Sequence, residues 1–485
     1  MYNNIIYKKL IFSREYYLIL AILFFLFLFS LFSYVDYAVF GVVILLFFAI
    51  LYFAFYPVAG ISLMALFLPL TYVVLDFSIS RNIPIIDALA MIVFVGFVFR
   101  YFILKYLFGL KILNLKYPVW IPFVVFFTIV MFSNLLSGDS FASAWYALRN
   151  ILFFYIFYLW LPVNIILENK KESSQRLSYS VLFFSLSAIF LSLLSFLNFI
   201  YSIKYLEDEN YRLRLASESV QAKIMGLVDS VSMGLLSVQP YLTEHVLLVE
   251  TLLPGVFFLL ALKFWFDKNE KINRIINFLI LFVFCVLIGT FSRGGWLGVL
   301  VGFVIYSFFN KKRIMEYLIM LMLLFSISLP IVFHMYDLQT DYKVGGSSNK
   351  NRLMSLDIAF ESFQEKPFFG HGSGQYVEII NSNIEYIANF GNAVDALGVV
   401  QKIIVENGML GLISFMFFVL SIFMEMYRET KKSQARIVPI LTLSIGAFCI
   451  LFFEFFNTSY FMGRTWLPIG LALSAVYITK EYEKK

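Results

Sequence analysis

Runs of about 20 apolar residues, separated by short polar breaks, recur along nearly the whole chain. A helix needs that length to cross a bilayer, and in lipid the backbone must satisfy its own hydrogen bonds. Composition agrees, because 61% of the residues are hydrophobic and only 14% are charged, whereas soluble domains hold about a quarter charged residues. The pattern predicts an all-α, polytopic membrane protein.

Spans placed between the polar breaks give about 14 transmembrane helices, within a range of roughly 12 to 14. The first four are closely spaced, so their boundaries are the least distinct. The predicted spans are 16–35, 38–56, 58–77, 84–104, 117–136, 147–167, 178–201, 244–265, 273–291, 294–310, 314–335, 403–426, 437–456 and 461–480.

Lysine and arginine gather in alternate loops, which is typical of the cytoplasmic side of a membrane protein. An N-terminus on the inside makes every well-defined inside loop basic, and it predicts both termini cytoplasmic in a bacterial inner membrane. The net charge of +6 fits such loops, so we expect no nucleic-acid partner. Basic residues that carry the assignment are Lys8, Lys9, Arg100, Lys116, Lys170, Lys171, Lys268, Lys271, Lys311, Lys312, Lys431, Lys432, Lys484 and Lys485.

Two connections predicted on the outside are long and mixed in polarity, and we expect both to fold as external caps because long connections are usually functional or disordered. They divide the chain into five parts. These are N-terminal helices (1–201), an external loop (202–243), helices (244–335), a larger external loop (336–402) and C-terminal helices (403–485).

Several arginines fall on the predicted external side, where the distribution of positive charge disfavours them. Arg293 stands between two spans and before two glycines, and its guanidinium fork suits a phosphate. The alternative is an interfacial arginine that snorkels to lipid headgroups. Arg212 and Arg214 lie in the first external loop, where a solvated loop is the alternative.

The larger external loop holds Arg352 and then a glycine-rich segment that contains His371. Residues 352–364 have the spacing of an amphipathic helix. Its predicted apolar face consists of Leu353, Leu356, Ala359 and Phe363. We expect Gly370, Gly372 and Gly374 to form a turn through which backbone approaches a ligand.

Two acids, Asp395 and Glu406, flank the start of the span at 403–426. An acid at a membrane boundary is costly unless it is solvated or paired, so both are functional candidates. Glu406 also suits a helix start, where negative charge is favoured. The arginines on the external side predict a basic external pocket for an anionic, lipid-linked substrate.

Four motifs in this order resemble the O-antigen ligase and O-antigen polymerase superfamily, most specifically over about 205–480. The first is the Ser292-Arg293-Gly turn, and the second runs from Arg352 to Gly374. Glu406-x-Gly-x-x-Gly411 and Arg464-x-Trp466 complete the series.

The resemblance implies a metal-independent glycosyltransferase without a cofactor that serves surface polysaccharide assembly in the cell envelope. A glycan moves from undecaprenyl pyrophosphate to an acceptor hydroxyl at the external face. Partners would be the lipid-linked glycan, an acceptor glycan or lipid, membrane lipids and a chain-length regulator. On this view Arg293 and Arg352 bind pyrophosphate, with Arg212 or Arg214 assisting.

Ligases carry a His-Asn pair about nine residues before the Glu-x-Gly turn, where this chain has Asp395. That difference favours an O-antigen polymerase over a ligase that transfers glycan to lipid A-core of lipopolysaccharide. Because the histidine is absent from that position, we predict Asp395 as the general base, Glu406 as the second candidate and His371 as the next. A flippase for lipid-linked oligosaccharide is a third alternative. It is disfavoured because the spans are nearly free of mid-membrane charge and because the large external loops favour surface chemistry.

We predict that Lys431→Cys is cytoplasmic and Gly345→Cys external, because positive charge gathers inside. In a background where Cys285 and Cys449 are alanine, an impermeant thiol reagent added outside should label only position 345. Labelling at 431 alone would invert the topology.

Overall fold

A computed structural model describes residues 37–69, 74–75, 83–103, 115–137, 140–205, 245–267, 269–290, 292–309, 346–393, 398–432, 438–455 and 462–483. Within these ranges regular structure is helical, apart from one antiparallel ladder of β1 (Val74–Leu75) with β2 (Ile83–Pro84). The all-α prediction is confirmed.

The described helices are numbered here in chain order. They are α1 (Tyr37–Phe55), α2 (Pro57–Leu66), α3 (Ile85–Phe102), α4 (Trp120–Leu136), α5 (140–167), α6 (Ser173–Tyr205), α7 (His245–Trp265), α8 (Glu270–Gly289), α9 (Arg293–Phe309), α10 (Gly346–Glu365), α11 (Gln375–Ser382), α12 (Ile384–Phe390), α13 (Val399–Lys432), α14 (Ile440–Glu454) and α15 (Gly463–Glu483). Helix α5 includes two π-helical stretches, Leu148–Leu152 and Tyr155–Trp160.

Six of the described helices are long and apolar enough to cross a membrane, or seven if Ile44–Phe55 and Pro57–Leu66 form one broken span. The chain is therefore a multi-pass membrane protein, but these helices do not establish the count of about 14. The predicted spans 16–35 and 314–335 lie outside the described residues.

The described residues fall into two compact units. The smaller holds 37–57 and 92–103, and the larger holds the remainder. Within the smaller unit, Arg100 Nη1 donates a hydrogen bond of 3.0 Å to the carbonyl of Ala54. An arginine predicted to mark a cytoplasmic loop thus also ties α3 to α1.

At the core of the larger unit, α15 is buried from Gly463 to Val476, as expected for a helix that is apolar on every side. Trp466 stacks on Phe154 of α5 with 4.3 Å between ring centroids. The two backbones also meet at Gly470, where a Cβ would lie 2.1 Å from a carbonyl oxygen of α5. Small residues permit this approach between membrane helices.

Three short helices, α10 to α12, lie within the loop predicted at 336–402, and we call residues 346–393 the cap. The cap packs on the first part of α13 through a small apolar core. That core consists of Ile358, Ala359, Tyr376, Ile380, Tyr386 and Val405. The prediction that this loop carries folded structure agrees with these helices.

The predicted helix at 352–364 exists, but only part of its predicted packing face is buried. Of that face Ala359 is buried, whereas Leu353 and Leu356 are 62% and 48% exposed, and Ile358, which the pattern left out, is buried. Two serines complete the buried face because their hydroxyls find partners; Ser362 Oγ, for example, donates to the Ile358 carbonyl at 2.8 Å. A satisfied hydroxyl can be buried at low cost, and apolar periodicity does not detect it.

Segments predicted on the cytoplasmic side meet at Glu481, one residue beyond the predicted span 461–480. Its carboxylate forms ion pairs with Lys116, which precedes α4, and with Lys170, which precedes α6. Hydrogen bonds from these two lysines lower the pKa of Glu481 to about 2. The contact joins three loop segments that the charge pattern assigns to one side of the membrane.

Replacing Glu481 by Gln should lower the melting temperature of the purified protein by about 2 °C or more near pH 7. The folded-state pKa lies below the ordinary value, so the stabilisation exists above about pH 4.5 and is lost as the pH falls toward 2. The difference from wild type should therefore shrink between pH 5 and pH 3. Glu483→Gln, at an exposed acid on the same helix, is the control, and a difference independent of pH would contradict the assignment.

Candidate active site

Helix α13 is interrupted at Gly408, whose backbone has φ 65° and ψ −167°. In an unbroken α-helix the N–H groups of Met409 and Leu410 would donate to the carbonyls of Val405 and Glu406. The interruption separates these donors from their acceptors. Unsatisfied backbone groups are especially costly at a membrane boundary, so each must find another partner.

The cap supplies donors for both carbonyls. His371 N donates to Val405 O at 2.9 Å, and Gly372 N donates to Glu406 O at 2.8 Å. The turn after α10 therefore replaces the two helical donors that the interruption removed.

The same turn supplies acceptors for the two separated N–H groups. Met409 N donates to Pro367 O at 2.9 Å, and Leu410 N donates to Phe368 O at 3.3 Å. We call this set of four main-chain bonds, between residues 367–372 and 405–410, the clamp. It holds two of the sequence motifs in direct backbone contact.

Two glycines make the clamp possible. A Cβ on Gly370 would lie 2.5 Å from the carbonyl carbon of Glu406, and a Cβ on Gly408 would lie 2.3 Å from Phe368 O. Both also have positive φ, which side chains disfavour. The glycine segment forms a turn that backbone approaches closely. The prediction is that this turn approaches a ligand, whereas the neighbour observed here is the backbone of α13.

The C-terminal end of α4 supports the clamp from the side. Ser133 Oγ donates to Glu406 O at 2.8 Å, and Asn134 Oδ1 accepts from Ser373 N at 2.8 Å. Helix α4 thus contacts the clamp at Glu406 and the cap at Ser373. These two hydrogen bonds hold the cap on the helix bundle.

His371 lies within the clamp, and its hydrogen bonds define its tautomer. Its Nε2 is 2.9 Å from the carbonyl oxygen of Ser362, which only accepts, so the ring proton resides on Nε2. In the neutral form of the ring the lone pair is then on Nδ1. Glu365 Oε2 lies 3.7 Å from Nε2.

Glu406 is only 1% exposed. Helix α13 begins at Val399 and is interrupted at Gly408, so Glu406 lies two turns inside its first part and directly before its second part. The interpretation as a helix-start residue fails for the first part and stays a prediction for the second. Burial raises the pKa of the neighbouring Tyr376 above its ordinary value, and the charge of Glu406 contributes. Tyr376 therefore stays a hydrogen-bond donor, and its hydroxyl donates to Ser355 O at 2.8 Å.

The Ser292-Arg293 turn is built from side chains that end one helix and begin the next. Thr290 Oγ1 donates to Leu287 O at 2.6 Å where α8 ends. Ser292 Oγ then accepts from Gly295 N at 3.4 Å, a weak N-cap for α9. Trp296 Nε1 closes the turn by donating to the carbonyl of Ile288 at 3.0 Å.

Both glycines after Arg293 are needed for packing. A Cβ on Gly295 would lie 2.7 Å from Val249 of α7, and one on Gly294 would lie 3.2 Å from the ring of Phe453 of α14. Arg293 is thereby fixed as the first residue of α9, while its side chain lies outside the described part of the structure.

The remaining predicted site residues are only partly described. Arg352 is on the exposed side of α10. Arg212, Arg214 and Asp395 lie outside the described residues. Contact between His371 and the Glu406 segment is observed, whereas convergence of the arginines stays a prediction.

Sequence reading missed a buried ion pair between Glu250 of α7 and Arg464 of α15. Next to it, Thr465 Oγ1 donates to Glu454 Oε1 of α14 at 3.3 Å. The two glutamates and the arginine are at most 3% exposed, so the helices carry buried charge near their ends. Apolar neighbours hid them, although any ionisable residue within a span is a functional candidate.

A second polar contact adjoins this pair. Tyr158 donates to Asp87 Oδ1 at 2.5 Å, and the positive charges of Arg149 and Arg464 act on that carboxylate. Gly463 leaves room for the tyrosine, because a Cβ there would lie 2.3 Å from its ring. Arg149, a lone arginine in an apolar run, was the signal that sequence reading passed over.

Asn407 completes the missed residues. It is 1% exposed, and neither Nδ2 nor Oδ1 has a hydrogen-bond partner among the described residues. Buried amides are normally satisfied, so this position beside the clamp indicates a place for a ligand or an ordered water.

Within the described ranges, no three His, Cys, Asp or Glu side chains form a group suited to a metal ion.

Residues 278–416 match the family model described as O-antigen ligase. This match supports the resemblance to the O-antigen ligase and polymerase superfamily over that part of the chain. The match includes the Ser292-Arg293 turn, the stretch from Arg352 to Gly374, and Glu406 to Gly411. Arg464-x-Trp466 lies beyond it. No curated protein matches the chain significantly.

Gly408→Ala should break the clamp, because its Cβ would overlap Phe368 O. We expect loss of glycan assembly in cells and a melting temperature lower by several degrees. Gly391→Ala is the matched control, since Gly391 also has positive φ but nothing lies within 4 Å of its Cβ position. Equal effects of the two substitutions would show that backbone strain, and not the close approach, is what matters.

Proposed function

We propose that the protein is a polymerase-type glycan transferase that acts on lipid-linked substrates at the external face of the inner membrane. It moves a glycan from undecaprenyl pyrophosphate to the sugar hydroxyl of another lipid-linked unit. The observation that carries this proposal is the superfamily match, because it spans three of the four motifs and both halves of the clamp.

The exposed face of the cap supports a lipid-linked donor. Leu353, Leu356 and Phe360 follow one another at helical spacing on α10, and all are about half exposed or more. Arg352 precedes this stripe. A cation beside an apolar surface suits a ligand that has a phosphate head and a hydrocarbon tail.

Pyrophosphate binding is assigned to Arg293 and Arg352, with Arg212 or Arg214 assisting. Arg293 stands at the N-terminus of α9, where the helix dipole also favours an anion. A guanidinium fork can bind two phosphate oxygens at once.

The reaction exchanges one bond for another at sugar C1. The acceptor oxygen bonds to C1, the bond from C1 to the pyrophosphate oxygen breaks, and the lipid pyrophosphate leaves with the electron pair. The hydroxyl proton passes to a general base. Cations that are already in position lower the barrier, because negative charge grows on the leaving group.

Asp395 is the proposed base, and the chain on both sides of it is anchored. Ala393 exchanges two hydrogen bonds with the side chain of Asn381, of 2.7 and 3.0 Å. On the other side, Gly398 O accepts from Lys402 N at 3.0 Å. Glu406 is a weaker candidate because its burial separates it from an acceptor.

A ligase is the second candidate, and His371 favours it. The imidazole has Nδ1 available as a proton acceptor and lies in the clamp beside Glu406. A ligase would attach glycan to lipid A-core or another acceptor.

Asp395→Asn should reduce turnover by roughly 10²- to 10⁴-fold, as expected for loss of a general base. Affinity should change little, because the arginines still hold the donor. The measurement is incubation of purified protein with a lipid-linked repeat unit alone, where wild type should form a ladder of products. Glu385→Gln, at an exposed acid of the cap, is the matched control.

Two outcomes would redirect the assignment. An active Asp395→Asn together with an inactive His371→Asn would move the base to His371. A requirement for lipid A-core, with a single transfer per acceptor, would replace the polymerase by the ligase.

A further inference from the structure

A groove of about 620 Å³ lies between the last turns of α13 and the end of α15. Arg428, in its lining, follows Gly408 by 20 residues, about 30 Å along a helix. The groove is therefore separate from the candidate active site. Lys431 and Lys432 mark this end of α13 as cytoplasmic by the charge rule.

The wall contributed by α13 changes from apolar to charged along one face. Phe417, Leu420 and Met424 are each about half exposed, and Arg428 comes one turn later. Spacings of three and four residues put these side chains in one stripe. A surface of this kind matches a lipid chain that ends in a polar head.

Arg428 is exposed and has no ion pair among the described residues. The other cation at the rim of α15 is different, because Lys480 pairs with Glu425 and also lies 4.9 Å above the ring of Tyr477. Lys432, the third cation in the lining, lies 3.5 Å from Glu429 Oε1. Arg428 is therefore the lining cation that has no ion pair among the described residues, and we assign it to the phosphate.

Glu429 supplies the opposite charge, and only one of its two carboxylate oxygens has a partner among the described residues. It is 4% exposed, and Lys432 Nζ lies 3.5 Å from its Oε1. Its Oε2 is buried and has no hydrogen-bond partner within the described ranges. A buried carboxylate is costly unless charged donors surround it, so a ligand with N–H donors would complete this wall.

We propose that the groove binds one phospholipid of the cytoplasmic leaflet whose headgroup is a phosphate ester of ethanolamine. Arg428 binds the phosphate, Glu429 accepts hydrogen bonds from the ammonium group, and an acyl chain follows the stripe from Met424 to Phe417. Both charges of this zwitterion are matched. A headgroup of glycerol offers no cation, and a trimethylammonium headgroup offers no N–H donor.

The test compares two lipids that differ only in those donors. Full-length protein is delipidated in detergent and given equal amounts of dioleoyl phosphatidylethanolamine and dioleoyl phosphatidylcholine, and the retained lipid is measured by native mass spectrometry. Wild type should retain phosphatidylethanolamine at least roughly tenfold better, the size of one charge-assisted hydrogen bond. Equal retention would overturn the proposal, and so would a preference for phosphatidylglycerol over phosphatidylethanolamine in a parallel competition of those two lipids.

Substitutions in the groove test whether the preference for phosphatidylethanolamine over phosphatidylcholine arises there. Glu429→Gln should reduce it to near unity, and Arg428→Gln should weaken retention of both lipids by a similar factor. Arg274→Gln, at an exposed arginine of α8, should change nothing. A preference that survives Glu429→Gln would overturn the site. If that variant does not fold, mono- and dimethylated phosphatidylethanolamine decide in wild type, because retention should fall as N–H donors are lost.

Discussion

Four main-chain hydrogen bonds between residues 367–372 and 405–410 hold the cap on a helix that is broken at Gly408. Two carbonyls and two N–H groups lose their helical partners there, and the cap turn provides a partner for each. The bonds need backbone contact, so Gly370 and Gly408 have no substitute. Both the position of His371 and the burial of Glu406 follow from this arrangement.

Buried charge is concentrated near one end of the helices that carry it. Glu250 is six residues into α7, Glu454 ends α14, and Arg464 follows the first residue of α15. A transport path needs polar groups across the bilayer, whereas these side chains pair with one another. They lie beside the turn of Arg293, because Val249 and Phe453, their sequence neighbours, pack on its two glycines. The arrangement suits a rigid support for surface chemistry.

Helix α13 links two different chemistries. Its first turns join the cap and the candidate active site, and its last turns line the groove between Arg428 and Lys480. One continuous apolar stretch separates them and includes Phe418, which is buried near Trp466. The proposed lipid groove and the candidate active site therefore lie on the same helix, on opposite sides of its interruption at Gly408.

The sequence by itself determined the all-helical membrane architecture, because runs of apolar residues about 20 long have few other stable arrangements. It also determined the order of the motifs and the glycine turn at 370–374. Only the tertiary structure decided which face of α10 packs, since Ser355 and Ser362 are buried through hydrogen bonds that no apolar period reveals. It alone joined Glu250 to Arg464 and His371 to Val405, because such contacts connect residues far apart in the chain. The apolar pattern of a segment shows whether lipid or water surrounds its helix. The side chains that the helix contacts depend on where every other helix lies.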